Sequence, residues 1–290
     1  MKILLTGSDG FVGRHFYQAL ADEHQVVSID KSVNTTCQKF FDNPMADYPF
    51  DLVIHCAAMV GGRAKIDGDP LAIAENLAID SDLFRWVIRR RIPRVVYFSS
   101  SAAYPTALQT GDLELNLREE DLWIGETVGT PDQTYGWAKL TGELLAKHAE
   151  AAGSRVHIFR PFSGYGEDQA LDYPFPSFIQ RAKERKDPFE IWGDGWQTRD
   201  FIHVDDIVGA VLKAVAEDVE GPVNLGWGRS TSFNELAEMV TSAAGYTPDL
   251  LHRTNKPVGC IHRVCDPTKM LSFYQPRVTL EEGIERALRA

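Results

Sequence analysis

The chain has 290 residues, 44% of them hydrophobic and 24% charged, with 41 acidic against 30 basic side chains and a formal net charge of −11. That balance supplies a soluble globular core and argues against nucleic acid as a partner, because a phosphate backbone requires a basic surface. No run approaches the about 20 apolar residues that span a bilayer, and four scattered cysteines make no disulfide framework, so the expected setting is reducing and cytoplasmic.

Lys2 to Thr6 reads as a short apolar strand, Gly7 to Gly13 as a Gly-rich turn, Phe11 to Ala21 as a helix and Gln25 to Ile29 as a second strand. Asp51 to Cys56 is a third strand. Asp69-Pro70 supplies a helix start, and Ile92-Pro93 stops that helix near Arg91. Arg94 to Ser99 is again a strand. Thr130-Pro131-Asp132-Gln133 reads as a capping box opening a helix that Gly153 closes, and Val156 to Phe159 is the next strand. Repeated β-α-β order with apolar strands predicts an α/β fold built on a doubly wound parallel (Rossmann) sheet. Beyond Pro161 the chain is richer in Gly, Pro and aromatics, which suggests a smaller α/β substrate lobe. The expected division is residues 1–162 and 200–226 for the sheet domain, and 163–199 and 227–290 for the lobe. Cys260, His262 and Cys265 lack the paired spacing of a zinc site, and no metal is expected.

Gly7-Ser8-Asp9-Gly10-Phe11-Val12-Gly13 follows the first strand directly and opens a helix. A turn of this kind lets the backbone approach a pyrophosphate, and the helix N-terminus offers it N–H groups. Asp30 ends the second strand, where a carboxylate accepts hydrogen bonds from the adenosine ribose and repels a 2′-phosphate. The expected cofactor is therefore NAD. Arg14 is the residue that could accommodate a 2′-phosphate instead, and Asp30 could merely begin a turn.

The G-x-x-G-x-x-G spacing resembles the extended branch of the short-chain dehydrogenase/reductase superfamily, the NAD-dependent nucleotide-sugar epimerase/dehydratase family. The resemblance covers almost the whole chain. It is nearest to GDP-mannose 3,5-epimerases and GDP-fucose synthases, through the Val60-Gly61-Gly62 turn and the Trp192-Gly193-Asp194-Gly195 run. It implies cofactor contacts from Gly7, Asp9, Gly10, Phe11, Val12, Gly13 and Asp30. Ala57 and Ala58 of the His55-Cys56-Ala57-Ala58 segment, Asn76, Ser99, Tyr135 and Lys139 join them by the same resemblance.

Tyr135-Gly136-Trp137-Ala138-Lys139 is a Y-x-x-x-K pair, and residues i and i+4 share one helix face. The ammonium is expected to favour the ionised phenol and lower its pKa from the ordinary value of about 10. In the family a Ser or Thr at the end of the preceding strand bonds the reacting hydroxyl. That position is Ser100, with Ser101 the alternative because three serines follow one another. Arg160-Pro161-Phe162-Ser163-Gly164-Tyr165-Gly166 resembles the family's R-P-x-N-x-Y-G segment, with Ser163 replacing the Asn. Arg199 and Arg263 resemble the residues that pair with the nucleotide pyrophosphate, and Tyr173 falls where the 3,5-epimerases carry a second acid/base.

These enzymes have a Cys two residues after the catalytic Ser, and this chain has Ala102 there. The Asp-Glu pair of the 4,6-dehydratases and the Glu of the UDP-glucuronate decarboxylases are also missing. What remains needs hydride and proton transfer at one carbon. The expectation is an NAD-dependent epimerase of a nucleotide-diphosphate sugar, acting at carbon 4 through a transient keto-sugar. The alternatives are a 4-keto-sugar reductase or dehydrogenase, a divergent 3,5-epimerase, and a non-catalytic NAD-sensing protein. The resemblance also implies a homodimer; Leu83, Trp86 and Val87 either contribute to its face or lie against the sheet.

Overall fold

The computed structural model describes residues 1–32, 37–43, 48–61, 69, 71–112, 114–122 and 129–290. Strand β1 (Lys2–Thr6) leads through the glycine turn into helix α1 (Phe11–Leu20). There follow β2 (Gln25–Ile29), α2 (Cys37–Phe41), β3 (Leu52–His55), α3 (Ala72–Arg90) and β4 (Arg94–Phe98). α3 ends where Arg91 turns left-handed at φ 52°, just before Pro93, which disfavours helical backbone ahead of it. After β5 (Asn116–Leu117), the long α4 (Gln133–Ala151) runs to Gly153, whose φ of 104° is open to glycine, and β6 (Arg155–Pro161) follows.

Strands β1, β2, β3, β4 and β6, with β11 (Val223–Leu225), form one parallel sheet in the order β11-β6-β4-β3-β1-β2. Alternate residues feed two apolar layers. Ile3, Leu5, Leu52 and Ile54 pack with Phe16 and Val211 on one side. Leu4, Val53 and Val95 pack with Leu83, Trp86 and Val87 on the other, so these three face the sheet. Strand order reverses between β1 and β3, and the ends of those strands open the crevice where doubly wound sheets take their ligands.

The remaining chain comprises β7 (Ser163–Tyr165), α5 (Pro174–Lys183), β8 (Phe189–Trp192), β9 (Thr198–Arg199), β10 (Phe201–His203) and α6 (Val204–Ala216). Beyond β11 come β12 (Thr231–Ser232), α7 (Phe233–Ala243), β13 (Leu250–Arg253), β14 (His262–Cys265), α8 (Thr268–Leu271) and α9 (Leu280–Arg289). Small sheets pair β7 with β10, β8 with β13, and β12-β9-β14-β5. A separate apolar cluster around Phe175, Phe178, Phe189, Leu236 and Ile284 supports α5, α7 and α9.

Two helix starts differ from expectation. Thr130 to Gln133 forms no capping box: α4 begins at Gln133 with Asp132 as its N-cap, and the Asp132 carboxylate caps no helix N–H. It pairs with Arg263 at 2.6 Å, a charge-assisted bond stronger than a cap. Asp69 accepts the Leu71 N–H at 2.9 Å, but α3 begins only at Ala72. Pro70 and Gly62 lie outside the described residues. Among the described residues no helix is long and apolar enough to cross a membrane.

Candidate active site

The crevice begins with a cradle that tolerates no side chain. Gly7 has φ 70°, and a Cβ there would lie 2.5 Å from the Ala57 nitrogen. A Cβ on Gly13 would stand 2.8 Å from the Gly7 carbonyl carbon and closer still to its oxygen. Glycine therefore lets β1, α1 and the segment after β3 meet. Gly10 is an extended N-cap with no side chain to occupy the first N–H groups of α1, which suits an anion. Asp9, Phe11 and Val12 belong to this same turn and first helical turn.

Asp30 stands beside the cradle and accepts from the Asp9 N–H at 3.1 Å, the Ser32 N–H at 2.9 Å and the Ser32 hydroxyl at 2.7 Å. Burial pushes its carboxyl up, but the Ser32 and Asp9 bonds and the charge of Lys31 outweigh that and hold it below the usual range. An anion at this place fits ribose hydroxyls and opposes a 2′-phosphate. Arg14 is turned to Asp168: its guanidinium bonds the Asp168 carboxylate and, at 2.6 Å, the Asp168 carbonyl. That engagement withdraws the residue that could have received a 2′-phosphate. The cradle fits a dinucleotide carrying a free ribose.

Ala57, with Ala58 next to it, follows β3 against Gly7, and its N–H donates to Thr6 Oγ1 at 3.3 Å. Asn76 is buried on α3. Its amide clasps Met59 through both main-chain groups, at 2.8 and 2.9 Å, and so holds the segment that lines the cradle.

The three serines after β4 are sorted by burial and partners. Ser99 is buried and donates to Glu143 Oε1 at 2.5 Å. Ser101 is buried at the start of a short 3₁₀ turn. Ser100 is half-exposed, accepts the Ala102 N–H at 3.1 Å, and lies near enough to Tyr135 to favour its ionised phenol. Tyr135 and Lys139 sit one turn apart on α4, where Gly136 is needed because a Cβ would approach the Ala102 carbonyl carbon to 3.1 Å.

Lys139 is buried, with Nζ 5.9 Å from the Tyr135 ring centre and 4.0 Å from Asp80 Oδ2. The expected lowering of the phenol by Lys139 is not what this arrangement produces. Burial and the Asp80 charge push the Tyr135 phenol up, and the Ser100 hydroxyl draws it only partly back. The physical reason is first that burial disfavours the phenolate, and then that the Asp80 carboxylate adds its negative charge nearby.

Tyr173 is the N-cap of α5. It lies near enough to Tyr135 that the latter adds to burial in pushing its phenol up. Arg199 and Arg263 are partners in register on the parallel pair β9 and β14. Arg199 donates to the carbonyls of Thr198, Cys260 and Val258 at 2.7, 2.9 and 3.2 Å. Arg263 bonds Asp132 and, at 2.5 Å, Gln109 Oε1, which anchors β14 to the start of the helix bearing Tyr135. Asp132 thus answers the Arg263 charge, and carbonyl oxygens hold the Arg199 guanidinium beside it. Ser163 stands on β7 opposite Phe201.

Cys260, His262 and Cys265 go to different partners: Asp132 with Arg263, Thr198, and Asp200. Asp200 is buried and receives N–H groups from Trp227, Gly228 and Cys265; burial pushes its carboxyl up to about 6 despite those bonds.

Residues outside the sequence reading complete the site. Glu143, one turn beyond Lys139, accepts both Arg160 Nε and Nη2 at 2.8 Å in a fully buried fork. Asp80 is the lone acid on a face of α3 that otherwise buries Asn76, Leu83, Phe84 and Val87. That isolated charge was its only sequence signal.

A family model described as the NAD dependent epimerase/dehydratase family matches residues 3–226, and the chain belongs to that family. GDP-mannose 3,5-epimerase of Arabidopsis thaliana is 33% identical over 311 residues, covering 98% of this chain and 80% of the relative. The dTDP-4-dehydro-6-deoxy-D-allose reductase of Streptomyces bikiniensis is 29% identical over 320 residues, covering 99% and 95%. The crystal structure of UDP-glucuronic acid 4-epimerase from Bacillus cereus, in complex with UDP-glucuronic acid and NAD, has 25% identity and a TM-score of 0.83. It matches 100% of this chain and 98% of that one. The family read from the motifs and the doubly wound class are both borne out. The relatives include epimerases and a keto-sugar reductase, so the likeness leaves the particular reaction open.

Proposed function

We propose that this protein is a nucleotide-sugar 4-epimerase that retains NAD and works through a transient 4-keto-sugar. The observation that carries the reading is the meeting of Ser100, Tyr135 and Lys139 beyond β4, with Ala102 where chemistry at other carbons would need a second ionisable group. NAD, when bound, would supply the hydride acceptor and donor that inversion at the sugar carbon needs. The cradle of Gly7, Gly10 and Gly13 with Asp9, Phe11 and Val12 holds its pyrophosphate, and Asp30 holds its ribose. Ala57, Ala58 and the main chain of Ser99 line its path. Ser100 donates to the reacting hydroxyl, Tyr135 takes and later returns its proton, and Lys139 orients the pair. Arg199 would grip the diphosphate, Arg263 would join it on exchanging its Asp132 partner for the ligand, and Ser163 borders the sugar. Residues 1–162 and 200–226 hold the cofactor, and 163–199 and 227–290 hold the substrate.

The reading is tested by incubating the protein with GDP-, UDP-, dTDP- and CDP-hexoses and analysing the products. Inversion at carbon 4 with no net change in NAD is expected; stoichiometric use of a reduced cofactor makes it a reductase. A second reading, 3,5-epimerisation, is favoured by Tyr173 beside Tyr135 and by the 33% identity to GDP-mannose 3,5-epimerase. It predicts solvent deuterium at carbons 3 or 5.

Retention of NAD gives Asp168 a task, since it ties Arg14 of α1 to the segment after β7, and His15 Nε2 lies 3.2 Å from the same carboxylate. Asp168→Ala should lose bound NAD during gel filtration at least about tenfold faster than wild type, the cost of a charge-assisted bond or two. We also propose a homodimer through α3 and α4, where the large apolar side chains of Ile88, Trp137 and Leu144 are exposed.

A further inference from the structure

Behind Tyr135 and Lys139 runs a buried chain of polar groups that the proposed reaction does not use. Thr6 Oγ1 lies 2.8 Å from His55 Nδ1, and His55 Nε2 lies 3.3 Å from Asp80 Oδ1. Tyr97 donates its hydroxyl to Asp80 Oδ2 at 2.5 Å, and Lys139 Nζ stands 4.0 Å from the same oxygen. Thr6, His55, Asp80, Tyr97 and Lys139 are each at most 2% exposed. One assignment of hydrogens satisfies the chain: the Ala57 N–H donates to Thr6, Thr6 donates to Nδ1, and Nε2–H donates to Asp80. α4 seals it, because a Cβ on Gly142 would come 2.8 Å from Asp80 Oδ2 and closer still to the Tyr97 oxygen.

A buried carboxylate persists only when it is paired. Burial pushes the Asp80 carboxyl up, but Lys139, His55 and Tyr97 outweigh this and hold it below the usual range. From α2, the Cys37 thiol is pushed up by burial and by the Asp80 charge and stays protonated. His55 is kept neutral by burial, and the Cys56 thiol and Tyr97 phenol are pushed up and stay protonated. Tyr173, from the lobe, is likewise pushed up. Glu143 is balanced by Arg160. Among the described residues, Asp80 is thus the full charge that answers Lys139.

We propose that Asp80 is a positioning residue for the proton-transfer pair: it seats the Lys139 ammonium and offsets its charge, and so sets the pH at which Tyr135 gives up its proton. The inference rests on Tyr135 being the base, yet it can be tested apart from activity. Ultraviolet titration of a protein against its Tyr135→Phe counterpart isolates the Tyr135 phenol. In Asp80→Asn the ammonium has only the phenolate as counter-ion, so Tyr135 should titrate at least about 1 pH unit lower. The acid limb of turnover should move down with it. Asp80→Thr, smaller and still able to accept from Tyr97, serves identically if the Asn variant does not fold. Tyr97→Phe removes a hydrogen bond and leaves the charge; it should lower thermal stability and leave the Tyr135 titration in place. An unmoved phenol in the Asp80 variants, or an equal shift in Tyr97→Phe, overturns the proposal. Normal turnover by Tyr135→Phe would instead overturn the reading of Tyr135 as the base, with the titration still reporting on Asp80.

Discussion

Tyr135→Phe should turn over its nucleotide sugar about 10²- to 10⁴-fold more slowly than wild type, the usual worth of a positioned proton-transfer group. The substitution removes one oxygen and keeps the ring. Its neighbour, Ser100, is half-exposed and finds water instead, so no buried group is orphaned. Bound NAD and the melting temperature should therefore stay near wild type. The decisive measurement is the rate of product formation at saturating substrate, compared across pH. Wild type should lose activity as pH falls and Tyr135 holds its proton, whereas the residual rate of the variant should lack that acid limb. Unchanged turnover would remove Tyr135 from the reaction and revive a non-catalytic NAD-binding role.

Glu143→Ala should destabilise the protein by about 3–5 kcal/mol, the cost of leaving a buried charge unpaired. Arg160 is 1% exposed; its fork meets Glu143 twice, and it also donates to the Tyr104 hydroxyl at 3.0 Å and the Glu119 carbonyl at 2.8 Å. Removing Glu143 leaves the buried guanidinium without the carboxylate that meets it twice and strands the Ser99 hydroxyl. By contrast, the Lys213–Glu217 pair, 2.5 Å apart, has side chains 49% and 44% exposed. Lys213→Ala should cost no more than about 0.5 kcal/mol, because solvent screens such pairs. Thermal unfolding of the two variants provides the check. Glu143→Leu combined with Arg160→Met should recover much of the loss, since no charge is then left uncompensated. Equal, small effects from Glu143→Ala and Lys213→Ala would show that the buried fork carries no special weight.

What the chain states by itself is local. The glycine turn before α1, the acid at the end of β2, Y-x-x-x-K on one helix face and the Pro that halts α3 each depend on a few adjacent residues. Helix period, turn geometry and strand alternation are properties of such short stretches, and they sufficed for the doubly wound sheet and for the family. The pairings that set charge in the crevice span far longer distances. Arg263 meets Asp132 across 131 residues, Arg14 meets Asp168 across 154, and His55 meets Asp80 across 25. Asp132 reads as part of a capping motif until β14 brings it a guanidinium. The Y-x-x-x-K spacing implies a lowered phenol until packing buries that phenol and α3 places Asp80 near it. Proximity along one helix shows which groups can meet. The sign and size of their effect follow from burial and from charges supplied by other elements, and only the packed molecule contains those.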